Sequence, residues 1–180
     1  MLYYTGIGSR EAPKLIQQDM ILFAKFLAVS GYCLRSGGAR GADQAFETGC
    51  DSQGGRKEIY LPWEGFEGNT STLFPASPEA SILASTIHPT WNKLSKGARS
   101  LVSRNMHQVL GQDLNTPSEF VICWTPDGCS SEKTYSRETG GTGTAITLAS
   151  RNNIPVINLQ HNSHFSYLVN VLLPHLEVLS

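Results

Sequence analysis

The chain has 180 residues, of which 40% are hydrophobic and 16% charged, and its formal net charge is -1. That length suits a single domain with a sizeable core, since ~150 residues already bury about two-thirds of their unfolded surface. The near-zero charge argues against a broad nucleic-acid surface. No apolar run approaches the ~18 residues of a membrane span.

The elements alternate along the chain. Residues 2–7 read as a first strand, followed by Gly8-Ser9-Arg10 and a helix over 13–29. Pro13 fits a first helical turn, where its missing N–H costs nothing. Leu15, Ile16, Met20, Phe23, Phe26 and Leu27 recur at helical spacing and are expected to face a sheet. Gly31 then ends the helix. Residues 32–35 form a second strand leading into Ser36-Gly37-Gly38-Ala39-Arg40-Gly41-Ala42-Asp43, with a helix over 42–50.

A third strand over 57–61 is stopped by Pro62. The stretch 63–95, rich in Gly, Ser, Thr and Pro, breaks the rhythm; it reads as an insertion or lid containing one short helix over 78–87. Strands over 120–124 and 155–159 follow, each with a helix after it. The last of these helices starts near Ser163 and is interrupted at Pro174. Strand–helix alternation predicts an α/β fold, a doubly wound parallel sheet with helices on both faces.

Cys33, Cys50, Cys123 and Cys129 show no C-x-x-C spacing and suit a reducing cytosol. The N-terminus opens directly on Leu2-Tyr3-Tyr4, without a basic region or an apolar signal core. The expected location is therefore cytoplasmic, with no membrane partner. His88, His107, His161, His164 and His175 keep no ligand spacing with the cysteines, so neither a metal nor a resident cofactor is expected.

The richest signal is Thr139-Gly140-Gly141-Thr142-Gly143-Thr144, between the fourth strand and a helix over 145–150. Glycines let the backbone approach a ligand closely. The unpaired N–H groups of the following helix start, beside the positive end of its dipole, favour phosphate. Thr142 and Thr144 add hydroxyl donors. Glycine-containing loops also follow strands one and two. With strand order 3-2-1-4-5, all of them meet at the carboxyl edge of the sheet, where the order reverses.

Gly6-Ile7-Gly8-Ser9-Arg10 and the Ser36–Asp43 segment resemble the DNA-processing protein A (DprA) family of Rossmann-like proteins. Ser103-Arg104-Asn105 is similar to that family's Arg-Asn segment opening a helix before strand four. Gly140-Gly141-Thr142-Gly143-Thr144 resembles both its final loop and the Lonely-guy (LOG) phosphoribohydrolases, which together define the SLOG superfamily. The resemblance implies a Rossmann-like nucleotide-binding domain over 1–180. LOG enzymes carry a catalytic glutamate three residues after the last threonine of this motif; here that position is Thr147. A hydroxyl cannot stabilise a developing oxocarbenium ion or act as the base as a carboxylate can.

The candidate ligand-binding residues are Gly8, Ser9, Arg10, Gly37, Gly38, Arg40, Gly41, Asp43, Arg104, Trp124, Gly140, Gly141, Thr142, Gly143 and Thr144. Arg40 either grips a phosphate with its fork or bonds carbonyls of neighbouring loops. Asp43 either caps its helix or accepts a ribose hydroxyl. Arg104 and Asn105 brace the loops from below or touch ligand. Trp63 and Trp124 each end a predicted strand, and either packs in the core at the sheet edge or stacks its indole on a base. Core packing is the reading for Trp63, whereas Trp124, leaving strand four toward the crevice, is better placed to stack. Arg137 and Glu138 belong to a solvated loop before the glycines.

These residues imply first a module that binds a nucleotide or nucleotide-derived signal, ADP-ribose-like or cyclic, as a sensor or a sequestering sponge. The alternatives are DprA-like single-stranded DNA binding, with salt-sensitive affinity, and a phosphoribohydrolase using another carboxylate, Asp43 or Glu138. Self-association through outer helices is compatible with the fold.

Overall fold

A computed structural model describes residues 1–161. The helix expected from Ser163, with its break at Pro174, lies outside the described residues.

Five parallel strands form one sheet in the order β3-β2-β1-β4-β5: β1 (Tyr3–Gly6), β2 (Cys33–Ser36), β3 (Lys57–Ile59), β4 (Phe120–Cys123) and β5 (Val156–Asn158). The central pairing sets Thr5 opposite Arg35 on one side and Val121 on the other. Every residue of β4 is buried, as expected of a parallel strand covered on both faces. This is a Rossmann-like arrangement, and it has the strand order expected from the sequence.

Helices α1 (Lys14–Val29) and α2 (Ala42–Asp51) cover one face, where Tyr4, Phe23, Leu27, Leu34, Phe46 and Ile122 pack together. Helices α3 (Pro78–Ile87), α4 (Lys96–Leu110) and α5 (Gly143–Arg151) cover the other, around Met106, Val109, Val121, Ile146 and Leu148.

Helix α1 turns Met20, Phe23, Ala24 and Leu27 inward, while Ile16 and Phe26 pack at the margin. Leu15, expected on that face, is 73% exposed. At about 100° per residue, a position five before Met20 falls on the far side of the helix. Pro13 caps α1 from just outside it, with ψ 146°. The helix closes in a Schellman motif: Gly31 at φ 85° donates to the Ala28 carbonyl at 3.1 Å and Tyr32 to that of Leu27 at 2.9 Å.

The segment 63–95 is tied into both cores. Tyr60 bridges to Leu73, Phe66 is buried with the first core, and Ala80 and Ala84 pack in the second. The buried His107 latches α3 to α4. Its Nε2 accepts the Ser77 N–H at 3.1 Å, and its Nδ1–H donates to the Gly111 carbonyl at 3.0 Å. Trp63, expected in the core, is 44% exposed, its ring standing edge-to-face with Phe66 at 5.2 Å between centroids.

Helix α4 starts earlier than the Arg104-Asn105 pair. Ser95 is its N-cap, accepting the Ala98 N–H at 3.2 Å, so the pair lies more than two turns inside the helix instead of opening it. The serine cap, and not the arginine, supplies the start signal. No helix among the described residues is long and apolar enough to cross a membrane.

Candidate functional site

The loops after β1, β2 and β4 meet at the carboxyl edge of the sheet and, with α4, enclose a crevice of about 380 Å³. That volume lies within the range usual for small-ligand sites. Loop one contributes Ile7, Gly8, Ser9, Arg10 and Glu11; the second loop and α2 contribute Ala39 and Asp43. Helix α4 presents Leu101, Val102, Arg104, Asn105 and Gln108, and the third loop supplies Glu138, Thr139, Gly140, Gly141 and Thr142.

Close approach between the first two loops depends on glycine. At Gly41, φ is 82° and a Cβ would lie 2.5 Å from the Arg10 carbonyl oxygen. At Gly37, a Cβ would fall onto the Arg104 guanidinium and the Gln108 amide. The backbone therefore lies directly on α4, and these glycines shape the crevice without lining it.

Asp43 joins the two loops. It is 3% exposed and accepts backbone N–H groups of Ala39, at 3.3 Å, Gly8 and Gly37. Arg104 Nη2 lies 3.6 Å away. Burial pushes the carboxyl up to about 6, against the opposing pull of Arg104 and the three N–H groups. Burial likewise lowers the Arg104 pKa; Asp43 acts to raise it, and the charge of Arg10 to lower it. Asp43 is not the helix cap: that position is Gly41, which has no side chain to offer.

The third loop has its own anchor, Asp127. Its carboxylate accepts the hydroxyls of Ser136 at 2.6 Å and Thr139 at 2.5 Å, and the Cys129 N–H at 3.2 Å. Burial acts to raise its pKa, but hydroxyls from Ser136, Thr139 and Thr125 and the Cys129 N–H outweigh it and hold it at about 2. From the other side, Asn105 Nδ2 donates to the Gly141 carbonyl and to Thr144 Oγ1, both at 3.0 Å. Gly140–Thr142 form a single 3₁₀ turn that runs straight into α5. The first N–H groups of such a helix start have no intrahelical partner and sit at the positive end of the dipole.

Across from this turn, Arg104 Nε and Gln108 Nε2 are buried without a hydrogen-bond partner among the described residues. Both belong to residues that line the crevice, and orphaned buried donors are costly.

The structure brings Gly8, Ser9, Arg10, Asp43, Arg104, Gly140, Gly141 and Thr142 to the crevice. It places the other candidates elsewhere. Arg40 points outward, its side chain 76% exposed, and pairs with Glu67 Oε2 at 2.7 Å. Trp124 is buried in the first core and its indole N–H donates to Gln160 Oε1 at 2.8 Å; only its carbonyl reaches loop one, accepting the Ser9 N–H at 3.0 Å. Gly38 packs near Leu61, and Gly143 lies against the Tyr135 ring. Thr144 is committed to Asn105 and Gly141, and with Thr147 it lines a separate cavity of about 210 Å³.

Glu11, Leu101 and Gln108 are lining residues that the sequence reading missed, and Thr139, the first residue of the glycine run, joins them although it was not among the candidates. Leu101, Arg104, Asn105 and Gln108 fall at helical spacing, so an α4 starting at Ser95 would have put them on one face. Among the described residues, no cluster of His, Cys, Asp and Glu is arranged to hold a metal ion. Comparison with family models, curated proteins and solved structures found no match.

Proposed function

We propose that the crevice binds a nucleotide or nucleotide-derived signal, ADP-ribose-like or cyclic, with a phosphate seated on Gly140–Thr142 at the start of α5. The observation that carries this reading is the pair of unpartnered buried donors, Arg104 Nε and Gln108 Nε2, on side chains that line the same crevice as that turn. A phosphate would meet dipole, backbone N–H groups and the Thr142 hydroxyl on one side and a guanidinium on the other. The protein then acts as a sensor or a sequestering module.

The exposed Glu11 and Glu138 at the crevice favour a small anion over an extended polyanion, which ranks single-stranded DNA second. The test is calorimetry with ADP-ribose, cyclic nucleotides and 5′-mononucleotides, combined with mass spectrometry of molecules released by heat from the purified protein. Gly141→Asp is the matched variant. A Cβ there meets nothing within 4 Å, so the substitution adds negative charge to the cradle without steric cost. Binding that Gly141→Asp abolishes supports the reading. Failure of the whole nucleotide panel overturns it.

A further inference from the structure

Three carboxylates line the crevice, and the structure separates the roles of two of them, Asp43 at the start of α2 and Glu138 in the third loop. Asp43 is buried, holds three backbone N–H groups and lies beside Arg104, so its acceptor capacity is spent within the protein. Glu138 is exposed and lines the same crevice, two positions before Gly140, where the phosphate turn begins. Its main chain is pinned, since its N–H donates to Ser136 Oγ at 3.1 Å, and that serine is held by Asp127. The Glu138 carboxylate itself carries no hydrogen bond or ion pair among the described residues. Glu11 also lines the crevice, but it belongs to the loop after β1 and not to the segment that would grip the phosphate.

An ionised carboxylate only accepts hydrogen bonds, so Glu138 offers its lone pairs to ligand hydroxyl or N–H groups close to the phosphate. In a nucleotide, the groups of that kind one sugar ring away from phosphorus are the ribose hydroxyls. Acidic side chains read these hydroxyls in other dinucleotide-binding sheets. We infer that Glu138 is a specificity-determining residue that reads the ribose hydroxyls, making the ligand class ribonucleotide and excluding deoxyribonucleotide. This rests on the phosphate reading above.

The experiment is calorimetry of 5′-AMP, ADP-ribose and 3′,5′-cyclic AMP, each against its deoxyribo counterpart, with wild type and Glu138→Gln. The exposed position keeps the variant folded, which an unchanged melting temperature verifies. The wild type is expected to prefer a ribo ligand by about ten-fold or more, the scale of one hydrogen bond to a charged group. In Glu138→Gln that preference falls to about two-fold or less. Equal binding of ribo and deoxyribo forms by the wild type overturns the inference and leaves the nucleotide reading standing; so does a preference that survives in Glu138→Gln. No binding by any probe overturns both.

Discussion

The Asp43 carboxylate lies 3.6 Å from Arg104 Nη2, with both side chains buried, and it simultaneously holds backbone N–H groups from the loops after β1 and β2. One side chain thus fixes the spacing of two loops and the position of the cation between them. Asp43→Ala would leave three buried N–H groups and a buried guanidinium without their acceptor. Breaking a buried pair in this way costs about 3–5 kcal/mol. Urea denaturation at neutral pH checks the loss, and Asp43→Asn, which keeps one acceptor oxygen, should lose less.

The same residue gives the stability a pH dependence. Because burial raises its folded-state pKa from 3.8 to about 6, the folded protein binds the proton more tightly than the unfolded chain. The proton-linked part of its contribution is fully present below about pH 4 and is lost as pH rises through about 6, an effect of roughly 2–3 kcal/mol at about 1.4 kcal/mol per unit. Asp127 works in the opposite sense. Its folded value is held at about 2, so its contribution is present above about pH 4 and disappears as pH falls toward 2. Melting curves between pH 3 and 8 should show the neutral-side decline flatten in Asp43→Asn. A decline of unchanged slope in that variant would assign it to another group.

Glycines in neighbouring loops should differ sharply in tolerance. Gly141→Ala places its methyl in open space and should change stability by less than about 0.5 kcal/mol. Gly37→Ala drives a methyl into the Arg104 guanidinium and the Gln108 amide, and overpacking of that kind costs about 1–3 kcal/mol. Thermal denaturation of the two variants side by side measures the contrast.

Asp127→Ala should loosen the third loop without unfolding the sheet. It removes the acceptor for the Ser136 and Thr139 hydroxyls and for the Cys129 N–H, while Asn105 still holds Gly141. Hydrogen exchange should accelerate over 128–142 and stay unchanged in β1 and β4. Equal acceleration throughout the protein would show that Asp127 supports the fold and not the loop.

Removal of the His107 imidazole should free α3. His107→Ala strands the Ser77 N–H and the Gly111 carbonyl, at about 1–3 kcal/mol for a buried unsatisfied group. Faster proteolysis within 63–95, with α4 still protected, is the expected result.

The strand–helix alternation and the glycine loops were readable in the linear chain because they are local properties, and the strand order was the one expected of a doubly wound sheet built from such alternation. Phe120–Cys123 is a short apolar run, Tyr3–Gly6 opens on two tyrosines of high strand propensity, Gly31 follows an amphipathic helix, and Gly140-Gly141-Thr142 precedes another. Backbone conformation and periodicity are set by neighbours a few residues apart, so they leave their mark on the sequence. Which side chains enter the crevice was decided by contacts between distant segments. Arg40 and Asp43 sit three residues apart, yet one turns outward to Glu67 and the other inward to Arg104. Trp124, one residue past β4, lies in the core with its indole N–H accepted by Gln160, 36 residues on. Gln108 carries no motif at all; it joins the site because α4 lies against Gly37, where the missing side chain leaves room. Burial and hydrogen-bond pairing depend on three-dimensional neighbours, and those exist only once the sheet and its helices have closed around one another.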